Sequence, residues 1–172
     1  MAIILQIETS TIVCSVALSV NGETMLFKEA SERNMHASNL TLFIDALMQR
    51  YGITYNELDA IAVAKGPGSY TGLRIGVSTA KGICYAVEKP LIAVGTLQLM
   101  ANGYMALNGR YKGLICPMID ARRMEVFTAL YDQDLNEISP AEAKIIYDGS
   151  YGAILSDQRI SFIGDGAEKC QD

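Results

Sequence analysis

The sequence predicts an α/β protein built as two lobes, and three observations carry that expectation. Short apolar, β-branched runs alternate with longer stretches of helical periodicity, the pattern of mixed sheets covered by helices. Asn21-Gly22 lies between two strand-like runs, so the chain opens as an antiparallel meander. The opening pattern then returns in the second half. An apolar run ends in an acid (Glu8, Asp120), a short polar loop follows (Thr9-Ser10-Thr11, Ala121-Arg122-Arg123), and another run folds back. A chain of 172 residues has room for two small lobes.

Each element has its own signal. Residues 2–7 and 14–20 read as strands, and 23–30 completes the meander. Ser38 or Asn39 caps a helix over 39–51, where Leu40, Phe43, Ile44, Leu47, Met48 and Tyr51 share one stripe; Gly52 ends it. Thr54 with Glu57 fits a capping box. Residues 60–64 are continuously apolar, as a strand buried on both faces would be. The run 66–72 (GPGSYTG) is a loop, and the helix after it carries Leu73, Val77, Ala80, Ile83, Cys84 and Val87 on one side before Pro90. A strand at 91–94 leads to a helix capped by Thr96 and running to about residue 104. The polar turn 108–113 marks the lobe boundary, giving lobes 1–107 and 108–172. Strands follow at 114–120, 125–131 and 160–163, with another starting over 135–138, and a turn at Gly164-Asp165-Gly166. Two stacked lobes of ribonuclease-H-like form account for the repeat.

Composition narrows the function classes. Half the residues are hydrophobic, which excludes a disordered tail. No apolar run reaches the length of a membrane-spanning helix. The first residues lack a basic start and a cleavage site, so no secretory signal is expected and the location is cytoplasmic. Cys14, Cys84, Cys116 and Cys170 are spaced for neither a zinc knuckle nor a redox pair and read as reduced thiols. The net charge of −5 leaves no basic surface for gripping nucleic acid, so RNA would be reached through a partner.

Several stretches could carry chemistry. A strand-end acid beside hydroxyls, as in Glu8-Thr9-Ser10, can position a metal-bound phosphate or simply shape a turn. In Gly66-Pro67-Gly68-Ser69 the missing Cβ atoms let backbone N–H groups approach an anion at a helix start. Neither the Walker lysine nor the Rossmann spacing is present, and tight packing or a protein contact explains the same glycines. Arg74 could pair with a carboxylate or phosphate, or lie solvated on its helix. His36 is the single histidine, so it cannot build a histidine metal site alone, and no nucleophile elbow supports a serine triad with Ser38 or Ser69. Asp120 opens a charged turn that runs to Glu125. The apolar stripes of 39–51 and 73–87 are core or an interface, with Phe43, Leu47, Leu73 and Val77 the positions that decide.

Gly66-Pro67-Gly68-Ser69-Tyr70-Thr71-Gly72-Leu73-Arg74-Ile75-Gly76 closely resembles the signature of the bacterial TsaB (YeaZ) family. Residues 7–17, His36-Ala37-Ser38, the hairpin 119–127 and Gly164-Asp165-Gly166 resemble the family nearly end to end, with Glu8 where its members usually carry Asp. The resemblance implies a two-lobed ASKHA fold (actin-like, sugar-kinase-like, Hsp70-like). It also implies a non-catalytic partner in the machinery that places threonylcarbamoyl on tRNA. A TsaD paralogue would perform the transfer, a TsaE ATPase would join, and the chain alone would form a homodimer through first-lobe helices. No metal and no tightly bound cofactor are expected; ATP or ADP would be met within the assembled complex, with Glu8, Thr9, Ser10, Gly66, Gly68, Ser69 and Asp120 as contacts. His36, Leu40, Phe43, Leu47, Tyr70, Leu73, Arg74 and Val77 are the expected interface residues. The family usually continues with further helices, so the second lobe is expected to be incomplete. The competing reading is an ATP-binding enzyme of the same fold class; a peptidase lacks both a metal set and a nucleophile elbow.

Overall fold

Ile3, Leu5 and Ile7 are buried along one side of the first strand, β1 (Ile3–Glu8), the period-two pattern of a sheet packed on one face. In the computed structural model, residues 1–31, 36–109 and 111–170 are described, with the side chains of His36 and Ala37 outside that set. β2 (Cys14–Val20) pairs antiparallel with β1, setting Val16 opposite Ile7 and Leu18 opposite Leu5. Asn21 and Gly22, both at positive φ, turn the chain into β3 (Glu23–Ala30). β4 (Ala60–Ala64) lies parallel to β1 on its other edge, and β5 (Leu91–Val94) lies parallel to β4. The sheet order is β3-β2-β1-β4-β5.

Helices α1 (His36–Tyr51) and α2 (Tyr70–Val87) supply the apolar cover of this first unit. Leu40, Phe43, Ile44, Leu47 and Met48 of α1 form one core with Leu5, Leu18, Ile61 and Ala80. Each such side chain contributes about 1.5–3 kcal/mol by leaving water.

The second unit is a sheet covered on both faces. β6 (Leu114–Asp120) is buried from Leu114 to Ile119, as a central strand between two layers must be. β7 (Glu125–Tyr131) and β8 (Glu137–Ile145) add antiparallel on one side and β9 (Ile160–Ile163) adds parallel on the other, giving β8-β7-β6-β9. α3 (Thr96–Asn108) packs Leu97 and Ala101 on Ile115, Ile119 and Ala129. Tyr151, just before α4 (Gly152–Leu155), and Ala167 of α5 (Asp165–Lys169) join Cys116, Met118 and Val126 in a separate core. On this side Cys116 Sγ, Thr128 Oγ1 and Tyr151 Oη form a buried chain with spacings of 3.1 and 3.3 Å.

The expected strand repeat is present: β8-β7-β6-β9 copies β3-β2-β1-β4 in order and direction. Other boundaries differ. The chain divides into Met1–Val94 and Gly95–Asp172, rather than at 107/108, because α3 packs on β6 and β7. Its N-cap is Gly95, so Thr96 is the first helical residue instead of the cap, and the helix runs on to Asn108. α1 begins at His36, which puts Ser38 and Asn39 inside its first turn. The expected strand start at Leu135 is a turn at φ 61°, and the strand begins at Glu137. Gly164-Asp165-Gly166, expected as a turn, starts α5.

Candidate functional site

The strand-end loop of β1 and the glycine-rich run come together in the first unit. Glu8 Oε1 accepts a hydrogen bond from Ser10 N at 2.6 Å, which fixes the loop. Ser10 O accepts from Ser69 N at 2.6 Å, and Thr9 Oγ1 donates to Gly72 O at 2.8 Å. Thr9 and Ser10 are fully buried under this contact. A Cβ on Gly68 would collide with Ser10 O, and one on Gly72 with Thr9 O, so these glycines let two backbones touch.

The start of α2 is closed by its own groups. Ser69 is the N-cap, its Oγ accepting from Gly72 N at 3.3 Å, and Leu73 N bonds to Ser69 O at 2.8 Å. Several donors that an anion would use here are therefore engaged. Ser10 Oγ is buried and has no hydrogen-bond partner among the described residues. Gly66, at φ 105°, lies beside the Leu73 side chain.

Asp120 belongs to the second unit, at the end of β6. Lys169 Nζ donates to Asp120 Oδ1 at 2.5 Å and to Glu125 O at 2.7 Å, and Arg122 N reaches the same carboxylate oxygen at 2.7 Å. Lys169's hydrogen bond first, then Arg122's N–H, hold the Asp120 carboxyl below its ordinary range. Asp165 Oδ1 accepts from Asp120 N at 3.1 Å. The acid thus carries an internal ammonium partner. Lys169 went unnoticed in the sequence because it stands 49 residues away in a tail without periodicity.

The expected interface residues do not share one environment. Leu40, Phe43 and Leu47 are core residues, 0%, 8% and 4% exposed, and cannot present a contact surface. Val77 packs partly on the same core, and Leu73 is half-buried. Tyr70 and Arg74 do face outward, the guanidinium lying over the Tyr70 ring at 5.3 Å. The His36 side chain lies outside the described set. The outward apolar residues not expected were Leu42 on α1 and Tyr85 on α2, 62% and 90% exposed. Each lies off its helix's apolar stripe, and that was the available signal.

Two units that share one strand order, each ending its first strand in an acid beside a returning hairpin, define a protein of the ASKHA class with ribonuclease-H-like lobes. The chain matches the family of TsaD, tRNA N6-adenosine threonylcarbamoyltransferase, over residues 28–168. It is 36% identical over 171 residues to the tRNA threonylcarbamoyladenosine biosynthesis protein TsaB of Bacillus subtilis, covering 94% of this chain and 70% of that protein. The chain belongs to the TsaB (YeaZ) family. The TsaB of Escherichia coli is 38% identical over 135 residues, which cover 78% of this chain and 57% of that one. YeaZ from Pseudomonas aeruginosa superposes with a TM-score of 0.78 at 26% identity, covering 95% of this chain and 84% of that structure. The matched region spans 57% of the Escherichia coli relative's length and 51% of its Haemophilus influenzae counterpart's. Among the described residues no helix is long and apolar enough to cross a membrane.

Proposed function

We propose that this chain acts in tRNA threonylcarbamoyladenosine biosynthesis as a non-catalytic partner of a TsaD-like paralogue, in the cytoplasm and together with a TsaE-like ATPase. Alone, it pairs with a second copy through the same surface; tRNA is met through the complex. The observation that carries this reading is the outward apolar and aromatic set on the first unit's two helices, Leu42, Tyr70 and Tyr85, which no residue of that unit's core requires. Aromatic residues beside an arginine are the composition of interface centres. Tyr70 with Arg74 supplies that pairing.

A second reading, nucleotide binding by an ASKHA enzyme, is favoured by the buried, unpartnered Ser10 hydroxyl beside the α2 N-terminus. Glu8, Thr9, Gly66, Gly68 and Ser69 would be its other contacts in the first unit, with ATP or ADP the ligand in the assembled complex; Asp120 is the strand-end acid of the second unit. Reconstitution of tRNA threonylcarbamoylation with the paralogue and the ATPase separates the two. Activity that survives Glu8→Gln and Asp120→Asn but falls with Tyr85→Asp supports the partner role. Activity abolished by the carboxylate changes while the complex still assembles assigns chemistry to this chain.

A further inference from the structure

Asn-Gly occurs three times, at residues 21–22, 102–103 and 108–109, and all three asparagines are exposed. Asparagine is chemically labile, and before glycine the following backbone N can reach its Cγ unhindered by a Cβ. Exposure is shared by the three pairs, so it does not separate them. What separates them is whether the attacking glycine N and the departing side-chain amine are already held by hydrogen bonds.

Asn102-Gly103 lies inside α3, where Gly103 N belongs to the helical hydrogen-bond ladder. At Asn108-Gly109, Gly109 N donates to Met105 O at 3.0 Å and Asn108 Nδ2 donates to Tyr104 O at 2.8 Å, so both groups are committed to the helix. Asn21-Gly22 is the two-residue turn that joins β2 to β3, with Val20 paired to Glu23. Gly22 N has no hydrogen-bond acceptor among the described residues, and nothing lies within 4 Å of where a Gly22 side chain would begin. Asn21 is anchored through Oδ1, which accepts from Ala2 N at 2.9 Å; its Nδ2 has no acceptor among the described residues.

We propose that Asn21-Gly22 is a deamidation site, and that its β-linked product makes this chain a substrate for a carboxyl methyltransferase that recognises isoaspartate. Gly22 N forms a bond to Asn21 Cγ, the Cγ–Nδ2 bond breaks, and Nδ2 leaves as ammonia with the proton that Gly22 N gives up. Water then opens the cyclic imide at either carbonyl, leaving aspartate or isoaspartate at residue 21. Aspartate keeps an oxygen for Ala2 N and adds one negative charge. Isoaspartate lengthens the backbone of the turn by one carbon, which takes Val20 and Glu23 out of register. β3 is an edge strand held in its sheet by β2 alone, while Leu26 packs on the core and Lys28 Nζ lies 4.9 Å from the Phe43 ring of α1. The turn therefore governs how firmly β3 stays seated beside α1. The inference does not rest on the partner role proposed above.

The test uses the full chain, incubated folded at mildly alkaline pH and, in parallel, unfolded in urea. Peptide mapping with fragment spectra follows the amide-to-acid conversion at Asn21, Asn102 and Asn108. In the folded chain Asn21 should convert at least about tenfold faster than the other two, a modest difference in barrier. In urea the three sites should convert at similar rates, because they share one dipeptide. An isoaspartyl carboxyl methyltransferase with labelled S-adenosylmethionine should then place its methyl group on the peptide that contains residue 21. Asn21→Asp, which keeps an oxygen for Ala2 N, should release no ammonia from this turn, and circular dichroism confirms its fold. The proposal is overturned if Asn21 is protected in the folded chain as fully as the other two, if either of them converts faster, or if no methyl label reaches the residue-21 peptide.

Discussion

The Thr9 hydroxyl donates to the Gly72 carbonyl at 2.8 Å, buried, and ties the strand-end loop of β1 to the first turn of α2 across 63 residues. Behind that bond the Gly72 Cα faces Thr9 O with no space for a side chain. Gly72→Ala should therefore destabilise the first unit by about 1–3 kcal/mol, the range for forced overpacking. Thr9→Val removes this buried hydrogen bond, while Gly72 O keeps its place in the α2 ladder, and should cost about 0.5–1.5 kcal/mol. Urea unfolding of the two variants checks both values; a neutral Gly72→Ala would mean the loop and helix are not in contact.

Core and surface positions on the two helices should behave oppositely. Leu42→Asp and Tyr85→Asp change exposed side chains and should keep the melting temperature while shifting self-association toward monomer. Phe43→Ala, in the core, should cost about 3–5 kcal/mol. Light scattering and thermal melts on the same samples separate the effects. Loss of the dimer with Phe43→Ala at unchanged stability would return that residue to the interface.

The Asp120 carboxyl, held down first by Lys169 and then by the Arg122 N–H, gives the second unit an acid-sensitive link. Its folded value lies below the ordinary 3.8, so the stability it adds is present above that pH and fades as the pH falls through the folded value. Lys169→Met should raise the carboxyl toward 3.8 and flatten the acid limb of the unfolding curve. A carbon-detected titration of the Asp120 side chain reads the shift directly.

Burial pushes the Tyr151 phenol well above its ordinary value of 10, with the Thr128 hydrogen bond acting in the opposite direction. Tyr151 should therefore stay protonated in alkaline titration well past pH 10. Thr128→Val breaks the chain from Cys116 to Tyr151 and should cost about 1–3 kcal/mol by leaving polar atoms unpaired. Ultraviolet difference spectra against pH, with and without the substitution, test this.

Strand existence, the meander and the repeated pattern were legible because they rest on local chemistry: Asn21-Gly22, period-two burial in β1, and the continuous apolar run of β4. The capping box at Thr54 was equally local, and Glu57 Oε2 does accept from Thr54 N at 2.8 Å. Much of the candidate site was less legible. The helical stripe of Leu40, Phe43 and Leu47 marks a buried face, but periodicity alone does not say whether the cover is this chain's own sheet or a partner. The glycines of 66–76 were visible, while their contact with Thr9 and Ser10 depends on a pairing far along the chain. Lys169 and the unpartnered Ser10 hydroxyl needed coordinates altogether.

The central place of β1 has a consequence for synthesis. β1 is made before the other strands of its sheet and lies in the middle of it, and its second edge is filled only when Ala60–Ala64 arrives. Until then a nascent chain carries Ile3, Leu5 and Ile7 on a strand with one open edge, the feature that invites pairing with another chain. The α1 segment, made in the interval, can cover the apolar face but not that edge. On the ribosome, this interval is where a chaperone that shields extended segments would have its greatest effect on yield.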